Sequence, residues 1–332
     1  MIYAKDAMEG LDIANQLVGA ERDQLITRVA QERKAFIDST AISASSSFSA
    51  PASRRSAIRR DAPIFVPPDL DRHVLRDYPL KLLRPYLNLQ MLLGKHLGLT
   101  GNVEKRIANK DRQAVELLQM VEDILRDAQE QQLVRAHAVY QFMLMMADGD
   151  AIVVFDRDGK SERARLAFPR QAKDPYLCVA DFVRPQGSGM DYLAMFALTT
   201  GGAIRIESER LKAEGSYLRA HALQAIALEL AEAFAERLHQ QLRDMWGFPD
   251  PLSMTMRERF IARYQGIRVS FGYPACPDLE QQQILFSLLK PEDIGMTLTD
   301  GFMMDPEASV SALVFSHPEA RYFNVEADSS AG

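Results

Sequence analysis

The eleven residues Arg268-Val-Ser-Phe-Gly-Tyr-Pro-Ala-Cys-Pro-Asp278 constrain this chain more than any other stretch. A cation, a small hydroxyl, a glycine between two aromatic rings, two prolines and a cysteine suit neither a helix nor a regular strand. Pro274 and Pro277 each remove a backbone donor and fix φ, which predicts a rigid, irregular loop. Gly272 admits a positive φ or the close approach of a ligand. Such a loop can grip a small molecule through backbone groups, while Arg268 offers a charge-assisted contact to a carboxylate or phosphate. A structural turn with its arginine in solvent satisfies the same composition.

Composition narrows the classes. With 332 residues, 47% of them hydrophobic and 25% charged, the chain can bury one large core or two modest ones. Its net charge of −6 argues against a nucleic-acid partner, which calls for a basic stripe. Apolar runs are broken by charges well before the 18 or so residues a membrane span needs. No charged-then-apolar signal segment opens the chain, so a cytoplasmic protein is expected. The two cysteines, Cys178 and Cys276, lie in separate apolar motifs and read as reduced thiols. No Cys or His pair has zinc-ligand spacing.

Along the chain, Ile13, Leu17, Val18, Leu25, Ile26 and Val29 recur at helical intervals. Residues 39–67 are expected to form a linker: a Ser/Ala-rich stretch ends in Arg54, Arg55, Arg59 and Arg60, read as solvated. Folded sequence is expected from residue 68 to 328. Helices are predicted over Tyr86–Leu97, twice between Asn102 and Met146, over Ser216–Met245 with Trp246-Gly247 as the stop, and near Leu279–Leu289. Strands are predicted at Ala151–Phe155, Arg163–Phe168 after a turn at Arg157–Lys160, Tyr176–Val183, Tyr192–Thr199 and Ser309–Phe315. Strand runs and helical runs without βαβ alternation imply an α+β fold with a mainly antiparallel, twisted sheet and flanking helices.

Acid–base and nucleotide chemistry find little support. Glu236 and His239 stand at i,i+3, a spacing usual for surface ion pairs. Cys276, between prolines and beside Ala275, reads as a packing thiol. Gly187-Ser-Gly189 and Gly201-Gly202 lack the strand–GxGxxG–helix context of a dinucleotide site. A cobalamin-binding pattern, Asp-x-His-x-x-Gly, is not completed: Asp71-Arg72-His73 begins it, but Arg76 stands where glycine is required.

Several segments resemble one family in the same order: Leu177–Val183, Asp191-Tyr192 with Phe196–Gly201, Leu230–His239, Trp246-Gly247, "GIRVSFGYPACPD" from Gly266, Ala308–Ser311, Phe315–Pro318 and Tyr322-Phe323. Over about residues 68 to 325 the chain resembles the reactivation domain of cobalamin-dependent methionine synthase. Met1–Leu11 resembles the close of the cobalamin-binding module that precedes that domain, which implies that residues 1–38 end an upstream module.

The resemblance implies binding of S-adenosylmethionine, with a set of cofactor-binding residues: Asn88, Glu232, Arg268, Ser270, Gly272, Tyr273, Tyr322 and Phe323. Arg268 would pair with the ligand carboxylate, Glu232 would offset ligand positive charge, backbone groups near Ser270 and Gly272 would bond the adenine edge, and the aromatic rings would pack on flat or cationic parts. No catalytic side chain and no protein-bound metal are implied. The methyl group would rescue an oxidised cobalamin held by a partner module, with electrons from flavodoxin or a similar reductase. Three departures stand out. Asn88 occupies a position where many members have aspartate, Val269-Ser-Phe271 replaces Pro-Ala-Pro, and Leu279 replaces histidine. A module that kept the fold for binding or docking and lost methyl donation is the alternative. An independent methyltransferase would need an acceptor-activating base that the sequence does not display.

Overall fold

The structure, a computed structural model, describes residues 55–325. The expected N-terminal helix and module end over 1–38, the linker residues 39–54, and residues 326–328 lie outside them. The described chain begins with an extended segment and strand β1 (Arg72–Leu75). There follow α1 (Leu80–Leu83), a 3-10 turn (Arg84–Tyr86), a π-helical turn (Gln90–His96), α2 (Val103–Ala108) and α3 (Arg112–Glu130). Strands β2 (His137–Asp148), β3 (Ala151–Phe155), β4 (Glu162–Ala167) and β5 (Asp191–Thr199) precede α4 (Ile204–Ala213) and the long α5 (Tyr217–Trp246). The chain closes with α6 (Met256–Phe260), β6 (Ile267–Val269), α7 (Gln282–Leu289), the small pair β7 (Thr297–Leu298) and β8 (Met304–Asp305), and β9 (Ser309–Phe315).

Seven strands form one antiparallel sheet in the order β4-β3-β2-β5-β9-β6, with β1 also paired to β2. This is the α+β architecture that the sequence implies. Side-chain alternation divides the interior in two. Ala138, Tyr140 and Phe142 of β2, with Val310, Ala312 and Val314 of β9, pack beneath α5 and α3. Val139, Met143 and Met145, with Leu313 and Phe315, face a second core that contains Cys178, Cys276 and α7. Burial on both faces removes the polar alternation that advertises a strand. That is why β2, rich in Ala and Met, reads from sequence as a helix and folds as the central strand. Tyr176–Val183 departs in the opposite sense: it forms a 3-10 turn (Val179–Phe182), because Asp181 turns inward to accept the Cys178 N–H at 3.0 Å.

Helix α5 ends where the sequence places its stop, with Gly247 in the left-handed region (φ 92°) and the indole N–H of Trp246 donating to Phe65 O at 2.7 Å. That bond shows a difference from the expected linker. Residues 55–67 are pinned to the domain rather than free. Ile58 and Ala62 are buried, and Arg184 donates to Ala62 O. Arg59 pairs with Glu319, and Arg60 with the fully buried Asp181, which also receives Ser56 and a two-pronged contact from Arg170. Burial opposes the charge on Asp181, but the bonds from Arg170, Ser56 and the Cys178 N–H outweigh it and hold its pKa below the ordinary carboxylate value. Arg60 is therefore a structural residue, whereas Arg59 pairs with Glu319 at the surface and keeps most of its side chain in solvent, as the sequence reading had it.

Candidate functional site

The segment that opens the loop is more regular than its composition suggests: Ile267–Val269 is the edge strand β6, paired with Phe315–Leu313. Alternation sends Ile267 and Val269 into the second core and turns Arg268 to the face covered by α5. There it meets two carboxylates one helical turn apart. Arg268 Nη1 lies 2.6 Å from Glu236 Oε2, and Nη2 lies 3.7 Å from Glu232 Oε2. Glu236 is only 7% exposed, whereas Glu232 is half in solvent. The guanidinium is thus not waiting free for a ligand, as the sequence alone suggests. It is oriented by Glu236 and kept protonated by that charge against the cost of burial. The strand depends on its first neighbour, Gly266, at φ 79°, where a Cβ would stand 2.3 Å from Phe315 O.

Beyond β6 the chain makes a small closed loop. The Gly272 N–H donates to Cys276 O at 2.8 Å and the Cys276 N–H returns to Tyr273 O at 2.8 Å. Gly272, at φ 85°, is committed to this turn, with its N–H already bonded inside the loop. Cys276 is buried, and burial pushes its thiol up to about 12, in keeping with a packing role.

Behind Arg268 the wall is polar and closed. The Tyr322 hydroxyl accepts the Arg268 N–H at 3.3 Å and lies 3.3 Å from the Tyr264 hydroxyl. The guanidinium of Arg243, paired with buried Asp250, sits 4.0 Å from the Tyr264 ring centre. His239 packs edge-on against the same ring with both ring nitrogens unpartnered, and burial drives its pKa well below the usual histidine value. Glu236 and His239 are therefore not the surface ion pair that their spacing suggests.

The cleft has two lobes. The first, a cavity of about 380 Å³, is lined by Glu232, Arg268, Ser270, Tyr273, Tyr322 and Phe323 among others, six of the eight residues singled out from sequence. The second, about 440 Å³, brings in Asn88 and shares Glu232, Glu236, Phe260, Arg268, Tyr273 and Val310 with the first. Either volume lies within the roughly 300–1,000 Å³ typical of small-molecule sites. Among the described residues no group of His, Cys, Asp and Glu could hold a metal, and no helix is long and apolar enough to cross a membrane.

Residues 79–329 match the family described as vitamin B12 dependent methionine synthase, activation domain. The chain belongs to that family. It is 35% identical over 206 residues to methionine synthase of Mycobacterium tuberculosis (strain ATCC 25618 / H37Rv) and 34% identical over the same length to that of Mycobacterium leprae (strain TN). Each alignment covers 58% of this chain but 17% of the relative, so the chain spans about one-sixth of the length of these curated relatives. A crystal structure of the MetH reactivation domain bound to AdoHcy superposes with a TM-score of 0.74 at 29% identity, covering 80% of this chain and 84% of that one.

Within this activation domain, sequence reasoning missed Glu236, the partner that fixes Arg268, together with Glu229 and His96 in the second lobe. A signal existed. Glu229, Glu232, Glu236, His239 and Arg243 recur at spacings of three and four along an otherwise Ala/Leu-rich helix, which lines them on one face. Polar residues on the face of a helix that should be apolar mark a site.

Proposed function

We propose that this chain is the activation module of a cobalamin-dependent methionine synthase, binding S-adenosylmethionine in the two-lobed cleft and presenting its methyl group for reductive methylation of cobalamin. The observation that carries the reading is the convergence of Arg268, Glu232, Ser270, Tyr273, Tyr322 and Phe323 on one cleft of ligand size, in a chain of this family. AdoHcy, the ligand of the structural relative, is what S-adenosylmethionine becomes when its methyl group leaves. Tyr273, Tyr322 and Phe323 offer surface to the flat adenine, Ser270 backbone to its edge, and Arg268 a guanidinium to the carboxylate. Asn88 contacts the ligand as a neutral hydrogen-bonding group.

The sulfonium carries its own leaving group, so the chain need supply no general acid or base. Its residues orient the S–CH₃ bond and exclude water. A cobalamin held by the partner module supplies, when bound, the reduced metal that takes up the methyl group. In this reading the electron comes from flavodoxin or a similar reductase, residues 1–38 close the cobalamin-binding module, residues 39–54 tether it, and the whole works in the cytoplasm.

Calorimetric titration of the purified chain with S-adenosylmethionine and with S-adenosylhomocysteine tests the reading. Saturable, roughly one-to-one binding is expected. Absence of binding of both at millimolar ligand overturns it.

A further inference from the structure

The second lobe has more acid than the first needs. Glu229, Glu232, Glu236 and Glu307 line it against the single guanidinium of Arg268, with His96 and Asn88 completing the polar wall. Three of the four carboxylates are already accounted for. Glu236 holds Arg268 at 2.6 Å, Glu232 lies 3.7 Å from the same guanidinium, and Glu307 is exposed. Glu229 differs from all of these. Its side chain is 8% exposed, and the partner found for it is the imidazole of His96, with Oε1 3.0 Å from Nε2. A histidine need not be charged, so this buried carboxylate lacks a permanent counter-ion at contact distance. Burial, with repulsion from Glu232 as a lesser contribution, raises its pKa over the opposing pull of His96 and the more distant Lys95, so the carboxylate is incompletely compensated.

Two further observations point toward a ligand. Glu236 lines both lobes and is nine-tenths buried, yet its Oε1 has no hydrogen-bond partner. His96 closes a π-helical turn, a geometry that recurs at functional sites, and Asn88, just ahead of that turn, is uncharged, with its Oδ1 already accepting the Met91 N–H at 3.2 Å. The lobe is built for a cationic group and takes its anion from α5 rather than from that turn.

We propose that Glu229, oriented by His96, binds the ammonium of the ligand's amino-acid arm and makes the second lobe the subsite for that arm. The inference rests on the adenosyl-ligand reading above. Glu229 is then a specificity-determining residue: it distinguishes adenosyl ligands that carry an α-amino group from those that end at the thioether.

Glu229→Gln preserves shape and the hydrogen bond to His96 and removes only the charge. Titration of the wild-type and E229Q chains with S-adenosylhomocysteine and with 5′-methylthioadenosine, which lacks the arm, separates the possibilities. Loss of a charge-assisted bond is expected to weaken S-adenosylhomocysteine about 10- to 100-fold and to leave 5′-methylthioadenosine unchanged. Asn88→Asp in the E229Q background, returning a charge to the same lobe, is expected to recover at least part of the loss. An E229Q chain that binds both ligands as the wild type does, or that loses both alike, overturns the inference and leaves the adenosyl reading standing. A wild-type chain that binds neither ligand overturns both.

Discussion

Replacing Arg268 by alanine separates what the cleft does from what holds it together. Arg268 Nη1 is 2.6 Å from a Glu236 carboxylate that is 7% exposed and whose other oxygen has no partner. Truncating the arginine leaves that carboxylate buried with neither oxygen paired. Removing one member of a buried ion pair costs about 3–5 kcal/mol, and the 18% exposure of Arg268 places the expected loss near the lower end, about 3 kcal/mol. With a denaturant slope of about 3 kcal/mol/M, the urea midpoint falls by on the order of 1 M. Trp246, the chain's one tryptophan and buried, reports the transition by fluorescence. Replacing both partners, Arg268→Met with Glu236→Met, removes the stranded charge and is expected to recover most of the stability. Neither variant is expected to bind S-adenosylmethionine in calorimetric titration, so in the double variant binding is lost while the fold is kept. An R268A chain within about 0.5 kcal/mol of wild type refutes the buried-pair argument. A double variant that binds normally removes Arg268 from the site.

Further outcomes follow from neighbouring geometry. Gly266→Ala forces a Cβ to 2.3 Å from Phe315 O at φ 79° and is expected to cost at least about 2 kcal/mol in urea unfolding. Cys276, with its thiol pushed up to about 12, and Cys178, also raised to about 12 by burial, are expected to resist a thiol reagent at pH 8 until denaturant is added. Asp181 has a folded pKa depressed below its unfolded value of about 3.9, so the stability it contributes is complete above that value and lost as pH falls through the folded one. Asp181→Asn is therefore expected to be less stable at pH 7 and to lose less than wild type between pH 4 and pH 2 in acid titrations of unfolding. Glu232→Gln, at a half-exposed carboxylate, is expected to weaken S-adenosylmethionine by no more than about fivefold in calorimetry.

The fold was legible where one face of an element meets water. Helix α5 announced its length and its Gly247 stop, and the turn at Arg157–Lys160 joins β3 and β4 as the dipeptide Asp158-Gly159 suggests. Burial on both faces did not by itself hide a strand, since β5 and β9 were legible from their own residues, but it did where helix-favouring residues accompany it. Strand β2 carries Met143, Met145 and Met146 with Ala138 and Ala147, residues that favour a helix when judged locally, and only the flanking strands β3 and β5 decide otherwise. The segment 55–67 misled for a complementary reason. Its small and basic residues cannot build a core, but Asp181, Arg184 and Trp246 supply the partners that pin it, and those lie more than 100 positions away.

The candidate site divides in the same way. Arg268, Ser270 and Tyr273 are close in sequence, and their rigid surroundings declared them. Glu236 did not declare itself, because an i,i+3 neighbour in histidine offers a local explanation that is sufficient and wrong. The carboxylate turns from His239 to an arginine on a strand 32 positions away. Asn88 shows the limit most clearly. Judged at its own position, it is a lost charge and a weakened contact. In the folded chain it faces a lobe in which Glu229, on α5, is a buried carboxylate whose contact-distance partner is a histidine rather than a permanent cation. The charge of a binding site belongs to the cavity rather than to any one position. A neutral residue on one wall therefore predicts weak binding only after the opposite wall has been read, and here that wall is the acidic face of α5.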